Sequence, residues 1–221
     1  MVLEAYRGVL ATAASTASFG LLLAPAFLCF KIWAKGSTKG IPFPPLMESM
    51  ARSILLVQQG IIMTIWPMMI THSIGVVLNL TYIMIYLKFT EDKGDAKKCI
   101  LRWSSVLAPI TAYALYEDRT LVESRFANLA TAFTIGMMLY HFYPIKQAIT
   151  TKSTQNLPFP IIVAAMCVTG FWTLYGMAIN KPILQIQTGF AFVVWAFELS
   201  LFAVFPSKSE TEKQSDKKKK R

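Results

Sequence analysis

The chain has 221 residues, of which 54% are hydrophobic and 15% charged, and its mean hydropathy is +0.46. Soluble domains carry about a quarter charged residues, so water is excluded as the main solvent. The formal net charge of +10 would suit a nucleic acid, but the basic residues lie in short connections and a polar tail, which excludes a basic binding domain.

A span needs ~20 largely apolar residues to cross a hydrocarbon core of ~30 Å. Residues 8–30 contain no Asp, Glu, Lys or Arg. This run exceeds the ~7–15 apolar residues of a cleaved signal and reads as a first span. Residues 41–66 carry Glu48 and Arg52, four apart, the spacing that places opposite charges on one helix face and predicts an ion pair. Residues 67–87 are uncharged and contain His72; residues 100–116 are short and carry Arg102. Residues 126–145 and 157–180 are again free of charge, and residues 182–205 carry Glu198. The charged segments still read as helices, because lipid cannot satisfy an open backbone. The sum is an all-α membrane protein with seven transmembrane helices. Glu198 is expected to face the bundle or to snorkel toward the cytosol. Trp33, Trp66 and Trp103 fall at span ends, as interfacial anchors do.

Cys29, Cys99 and Cys167 are scattered without CxxC spacing, so no disulfide framework, metal or other cofactor is expected. No nucleotide loop or activated nucleophile appears, and an enzyme is not expected.

Basic residues cluster in alternate connections: Lys31, Lys35 and Lys39; Lys88, Lys93, Lys97, Lys98 and Arg102; Lys146 and Lys152; and the tail from Lys208 to Arg221. The positive-inside rule makes these cytosolic, with the N-terminus outside and the C-terminus inside. The tail, residues 207–221, has almost no apolar residues and reads as disordered, drawn to anionic lipid.

A shift of 116 residues aligns Ser37, Thr38, Pro42, Phe43 and Pro44 with Ser153, Thr154, Pro158, Phe159 and Pro160. The register runs on through Met50 with Met166 and Gly60 with Gly176, and Pro25 finds Pro144 at nearly the same offset. Both Ser-Thr loops are cytosolic by charge, so the repeats are parallel. Three crossings leave the chain on the wrong side to start a parallel copy, and residues 100–116 supply the inverting helix. The layout is two parallel three-helix bundles plus one linker helix (3+1+3). The boundaries read as 1–98 for the first repeat, 99–118 for the linker, 119–206 for the second repeat, then the tail.

The segments KGSTKGIPFPP and TKSTQNLPFP, the latter followed by Trp172-Thr-Leu-Tyr175-Gly176, resemble the two repeats of the SWEET (MtN3/saliva) family over about residues 20–206. The resemblance implies facilitative, bidirectional sugar transport by alternating access, with two bundles rocking around one midplane site. Matched by position, Leu56, His72, Trp172 and Thr188 would bind substrate. Pro25, Pro42, Pro144 and Pro158 would be hinges, and Gln59, Tyr175 and Lys181 an outer gate. The chain departs from the family at His72 and Thr188, where asparagine is usual, and at Gln59 and Lys181, where tyrosine and aspartate are usual. Implied partners are a mono- or disaccharide and membrane lipid, with no nucleic acid and with room for a homo-oligomer. The plasma membrane is the expected location, with the Golgi or another endomembrane as the alternative. Rival readings are a SWEET-like or PQ-loop-type carrier of a non-sugar solute, a transport-inactive member, and a heptahelical receptor, against which the repeat argues.

Overall fold

The computed structural model describes residues 2–205, and among these it is helical throughout apart from short connections. A short helix α1 (Val2–Ala5) precedes α2 (Arg7–Lys35), α3 (Pro44–Ile62) and α4 (Trp66–Phe89). Next come α5 (Lys93–Tyr116) and α6 (Arg119–Met138). A 3₁₀ turn (Leu139–His141) then leads into α7 (Phe142–Thr151), and α8 (Phe159–Ala178) and α9 (Pro182–Val204) complete the order. The α6–α7 pair, with its 3₁₀ turn, is one broken span, so the seven-helix 3+1+3 architecture is borne out. The tail falls outside the described residues.

Local chemistry sets the helix ends. Pro44, Pro67 and Pro182 stand in the first two positions of α3, α4 and α9, where a missing N–H costs nothing because the first turn has no intrahelical acceptor. The Asp92 carboxylate accepts from the Asp95 amide at 2.9 Å and caps α5. This helix therefore starts seven residues before the expected 100–116 run, in a charged first turn that hydropathy overlooks. Asp118 caps α6 by accepting from the Thr120 amide at 2.8 Å.

The bundles share one arrangement. The third helix lies in the middle: α4 packs against both α2 and α3, and α9 against α6, α7 and α8. Across the interface the first helix of each bundle meets the second helix of the other, α2 on α8 and α6 on α3. This exchange is what a twofold axis along the membrane normal produces. The linker helix α5 packs against α3 and α6 from outside.

The 116-residue register is written in the backbone. In the α3–α4 turn the Met63 amide bonds Gln59 O and the Ile65 amide bonds Gly60 O; in the α8–α9 turn Ile179 bonds Tyr175 O and Lys181 bonds Gly176 O. Thr64 and Asn180 take left-handed φ values of 57° and 52° at the same point. At the other end of the bundles, Gly36 (φ 65°) ends α2 and Lys152 (φ 50°) ends α7, again 116 apart. The copies diverge upstream, where α2 runs unbroken through Pro25 while the second copy breaks at the 3₁₀ turn before Pro144. Pro42 precedes α3 by two residues and Pro158 is the N-cap of α8, so these two prolines stand at helix starts.

Lipid weakens the drive to bury apolar surface, so helices in it are held by close packing and polar contacts worth on average about 0.6 kcal/mol each. Phe27, Phe30, Val77, Met84 and Val193 face outward. Inside, the Asn79 amide donates to Ser53 Oγ (3.2 Å), and Tyr86 Oη donates to the Ile41 carbonyl (2.9 Å). Glu48 and Arg52 form the expected ion pair on one face of α3.

Candidate functional site between the bundles

Trp172 on α8 is 4% exposed and lies at the interface of the two bundles. Its indole N–H donates to Ser18 Oγ of α2 at 2.9 Å, and Ser18 donates onward to the Ala14 carbonyl at 2.7 Å. The ring stands edge-on to Tyr175, with centroids 5.7 Å apart. Its other aromatic neighbour is His72 of α4, whose centroid is 6.2 Å away at a tilt of 31°. His72 Nδ1 is buried without a hydrogen-bond partner. Leu56 packs against the apolar cluster that contains Trp172 and Tyr175. The Thr188 hydroxyl donates to the Leu184 carbonyl at 2.7 Å and lies 2.9 Å from that of Thr173, the residue after Trp172.

Of the four positions named from the sequence, His72 and Trp172 thus meet across the interface, Leu56 packs against the cluster that holds Trp172, and Thr188 touches the same helix one residue away. The indole N–H, expected to serve a ligand hydroxyl, is here taken by Ser18. Ser18 was not foreseen, because nothing sets it apart from Thr12, Ser15 and Thr16 in the same run or points to a partner 154 residues away.

Toward the α3–α4 turn, Gln59 of α3 is fully buried, and its Nε2 donates to Gln187 Oε1 of α9 at 3.0 Å, a direct bond between bundles. Gln187 Oε1 also lies 3.3 Å from the Thr131 hydroxyl, and Gln187 Nε2 donates to Thr134 Oγ1 at 3.2 Å. Lys181 instead pairs with Glu123 of α6, inside the second bundle. Gln59, Tyr175 and Lys181 therefore make separate contacts. Gln187 was missed, although a glutamine within an apolar span is a signal in itself. Beyond this layer Leu3, Glu4, Arg7 and the end of α8 line a cavity of about 720 Å³. Toward the start of α3, Arg52 and Glu48 follow Leu56 at one- and two-turn steps along the same face of the helix.

Among the described residues no cluster of His, Cys, Asp or Glu could hold a metal ion.

Comparison with known proteins agrees with this architecture. The family model described as sugar efflux transporter for intercellular exchange matches residues 8–94 and 124–210, two stretches offset by the same 116 residues. Sugar transporter SWEET1 of Drosophila pseudoobscura pseudoobscura is 26% identical over 91% of this chain and 90% of its own length. Sugar transporter SWEET1 of Mus musculus is 23% identical over 79% of this chain and 80% of its own length. Bidirectional sugar transporter SWEET8 of Arabidopsis thaliana is 25% identical over 77% of this chain and 75% of its own length. The solved structure of a eukaryotic SWEET transporter superposes with a TM-score of 0.80 at 16% identity, over 92% of this chain and 98% of that one. With both repeats matched by the family model and the fold shared along nearly the whole chain, this protein belongs to the SWEET family.

Proposed function

We propose that this protein carries a mono- or disaccharide across its membrane without coupling to another energy source, in either direction, by alternating access. The observation that carries this reading is the meeting of His72 from the first repeat with Trp172 from the second. The indole gives a flat apolar face suited to sugar C–H groups, and His72 Nδ1 is a buried polar atom that a sugar hydroxyl would satisfy. Thr188 adds a hydroxyl where the family usually has an amide, and Leu56 closes the apolar side. These four residues form the proposed substrate site.

The Gln59–Gln187 bond holds the bundles together on the outer side of Trp172. Breaking it, together with bending near Pro25 and Pro144, would let the bundles rock and expose the site outward. The repeat boundaries, 1–98 and 119–206 around a linker of 99–118, follow this mechanics. Tyr175 and Lys181 flank the outer opening. The N-terminus faces outward and the C-terminus inward, in the plasma membrane, and the tail contacts anionic lipid.

Equilibrium exchange of labelled glucose and sucrose in vesicles reconstituted with the full chain tests this directly. Saturable flux of at least one, independent of ion gradients, supports it. Absence of flux for both would favour the carrier of a non-sugar solute or the transport-inactive member.

A further inference from the structure

We propose that His141 and Glu198 form a proton-binding site inside the second bundle that latches the bend between α6 and α7. Glu198, on α9, is 2% exposed, and its Oε1 has no hydrogen-bond partner. The nearest basic atom is His141 Nδ1, at 3.6 Å, just beyond hydrogen-bond reach. His141 is the last residue of the 3₁₀ turn, three residues before Pro144, so the carboxylate faces the point where the span is broken. Trp195, one turn before Glu198 on α9, stands edge-on to the imidazole with centroids 4.4 Å apart and keeps water from that side.

The first repeat shows what this place in the fold does. Tyr82 is the repeat equivalent of Glu198 at the 116-residue offset. Its hydroxyl donates to the Leu22 carbonyl at 3.2 Å, and Leu22 lies three residues before Pro25. In both bundles the third helix therefore reaches the first helix three residues ahead of its proline. In the first bundle the link is a permanent hydrogen bond. In the second it is a gap between a carboxylate and an imidazole; with the neutral ring's own hydrogen on Nε2, one added proton, on Nδ1 or on the carboxyl oxygen, closes it. A mid-helix 3₁₀ stretch is a common hinge, and here its mobility would depend on that proton.

Among the described residues no other charge competes at this level. The only other charged residue of α7 is Lys146, which is exposed; α8 has none, and α9 has only Glu198. The charged residues of α6, Arg119, Glu123 and Arg125, lie in its first two turns at the opposite end. On α2, Arg7, Lys31 and Lys35 lie at the helix ends. The proton comes from water and returns to it, with no bond made or broken other than N–H or O–H.

The flux arm of the test rests on the transport reading; the spectroscopic arm does not. In vesicles holding the full chain, with equal pH on both sides, labelled-sugar exchange should fall at least about fivefold from about pH 8 to 5, a modest coupling. Glu198→Gln, which mimics the proton-bound carboxyl, should be slow at every pH. Glu198→Leu, which cannot form the link, should be fast at every pH. In detergent, the chain labelled at its two histidines should show a His141 resonance, assigned by its loss in His141→Asn, whose pH course changes in Glu198→Gln. A Glu198→Gln flux profile that tracks the wild type, or a His141 resonance indifferent to that substitution, would overturn the proposal. If no sugar moves, the resonance alone decides.

Discussion

The Trp172 indole N–H of α8 donates to the Ser18 hydroxyl of α2 at 2.9 Å, joining the second helix of one bundle to the first helix of the other. Both groups are buried. Ser18→Ala strands the indole donor, and a buried unsatisfied donor costs about 1–3 kcal/mol. The variant should therefore unfold at lower temperature in detergent than the wild type. An unchanged midpoint would mean that the bond contributes nothing to holding the bundles together.

Gly60 and Gly176 occupy the same place in the two repeats but differ in crowding. A Cβ at Gly60 would lie 2.9 Å from the Met69 backbone nitrogen, whereas at Gly176 the nearest atoms, in Gln185 and Leu184, are 3.3 Å away. A backbone atom at 2.9 Å must shift to admit the Cβ, whereas 3.3 Å needs only a few tenths of an ångström, so Gly60→Ala should cost about 1–3 kcal/mol, in the range of overpacked cores. Gly176→Ala should cost less, and thermal unfolding of the pair reads the difference.

Gln187→Ala removes the acceptor for Gln59 and the polar layer with Thr131 and Thr134. The outer side should then open more often. A cysteine at Ala127, a fully buried position in the Trp172 cluster, should label from outside about tenfold faster, equivalent to ~1.4 kcal/mol in the opening equilibrium. Unchanged labelling would place the outer closure elsewhere.

The α5–α6 connection should respond to acid. Hydrogen bonds from Tyr113 and Arg125 hold Glu117 below the usual carboxylate range, and the Thr120 amide and hydroxyl do the same for Asp118. A depressed carboxyl adds stability that is present above its unfolded pKa and lost as pH falls through the folded value. Amide protection at the start of α6 should therefore be full at neutral pH and decline below the usual carboxylate range. Asp118→Asn, which keeps an acceptor but does not titrate, should flatten that decline.

The parallel repeat was legible because its two loops need special backbone chemistry: a Ser-Thr pair and two prolines recur at one spacing, and the structure places left-handed residues in both. The span count was legible because lipid demands helices. The break before Pro144 was not, since residues 126–145 form one uncharged run and hydropathy does not distinguish a 3₁₀ turn from an α-helix. Pro144 marked the region but not the turn three residues earlier. The start of α5 at Lys93 was hidden by its charge. Within the site, the repeat offset pairs Leu56 with Trp172 and His72 with Thr188, and the family resemblance named the four positions, whereas the approach of His72 to Trp172 across the interface is read from the structure alone. Ser18 and Gln187 could not be reached that way, since hydrogen bonds between distant helices leave no local pattern.

Sugar flux through the His72–Trp172 site is the central claim, and exchange of labelled sugar in vesicles holding wild type, Trp172→Ala or His72→Asn tests it most directly. Loss of the indole face, by analogy with base stacking on aromatic side chains, removes about 1–3 kcal/mol of binding, so Trp172→Ala should cut flux by about fivefold or more. His72→Asn restores the amide usual in the family, with two donors and an acceptor in place of one of each, and should preserve or raise flux. If both variants fold and exchange sugar at the wild-type rate, substrate does not pass between His72 and Trp172 and the account is wrong.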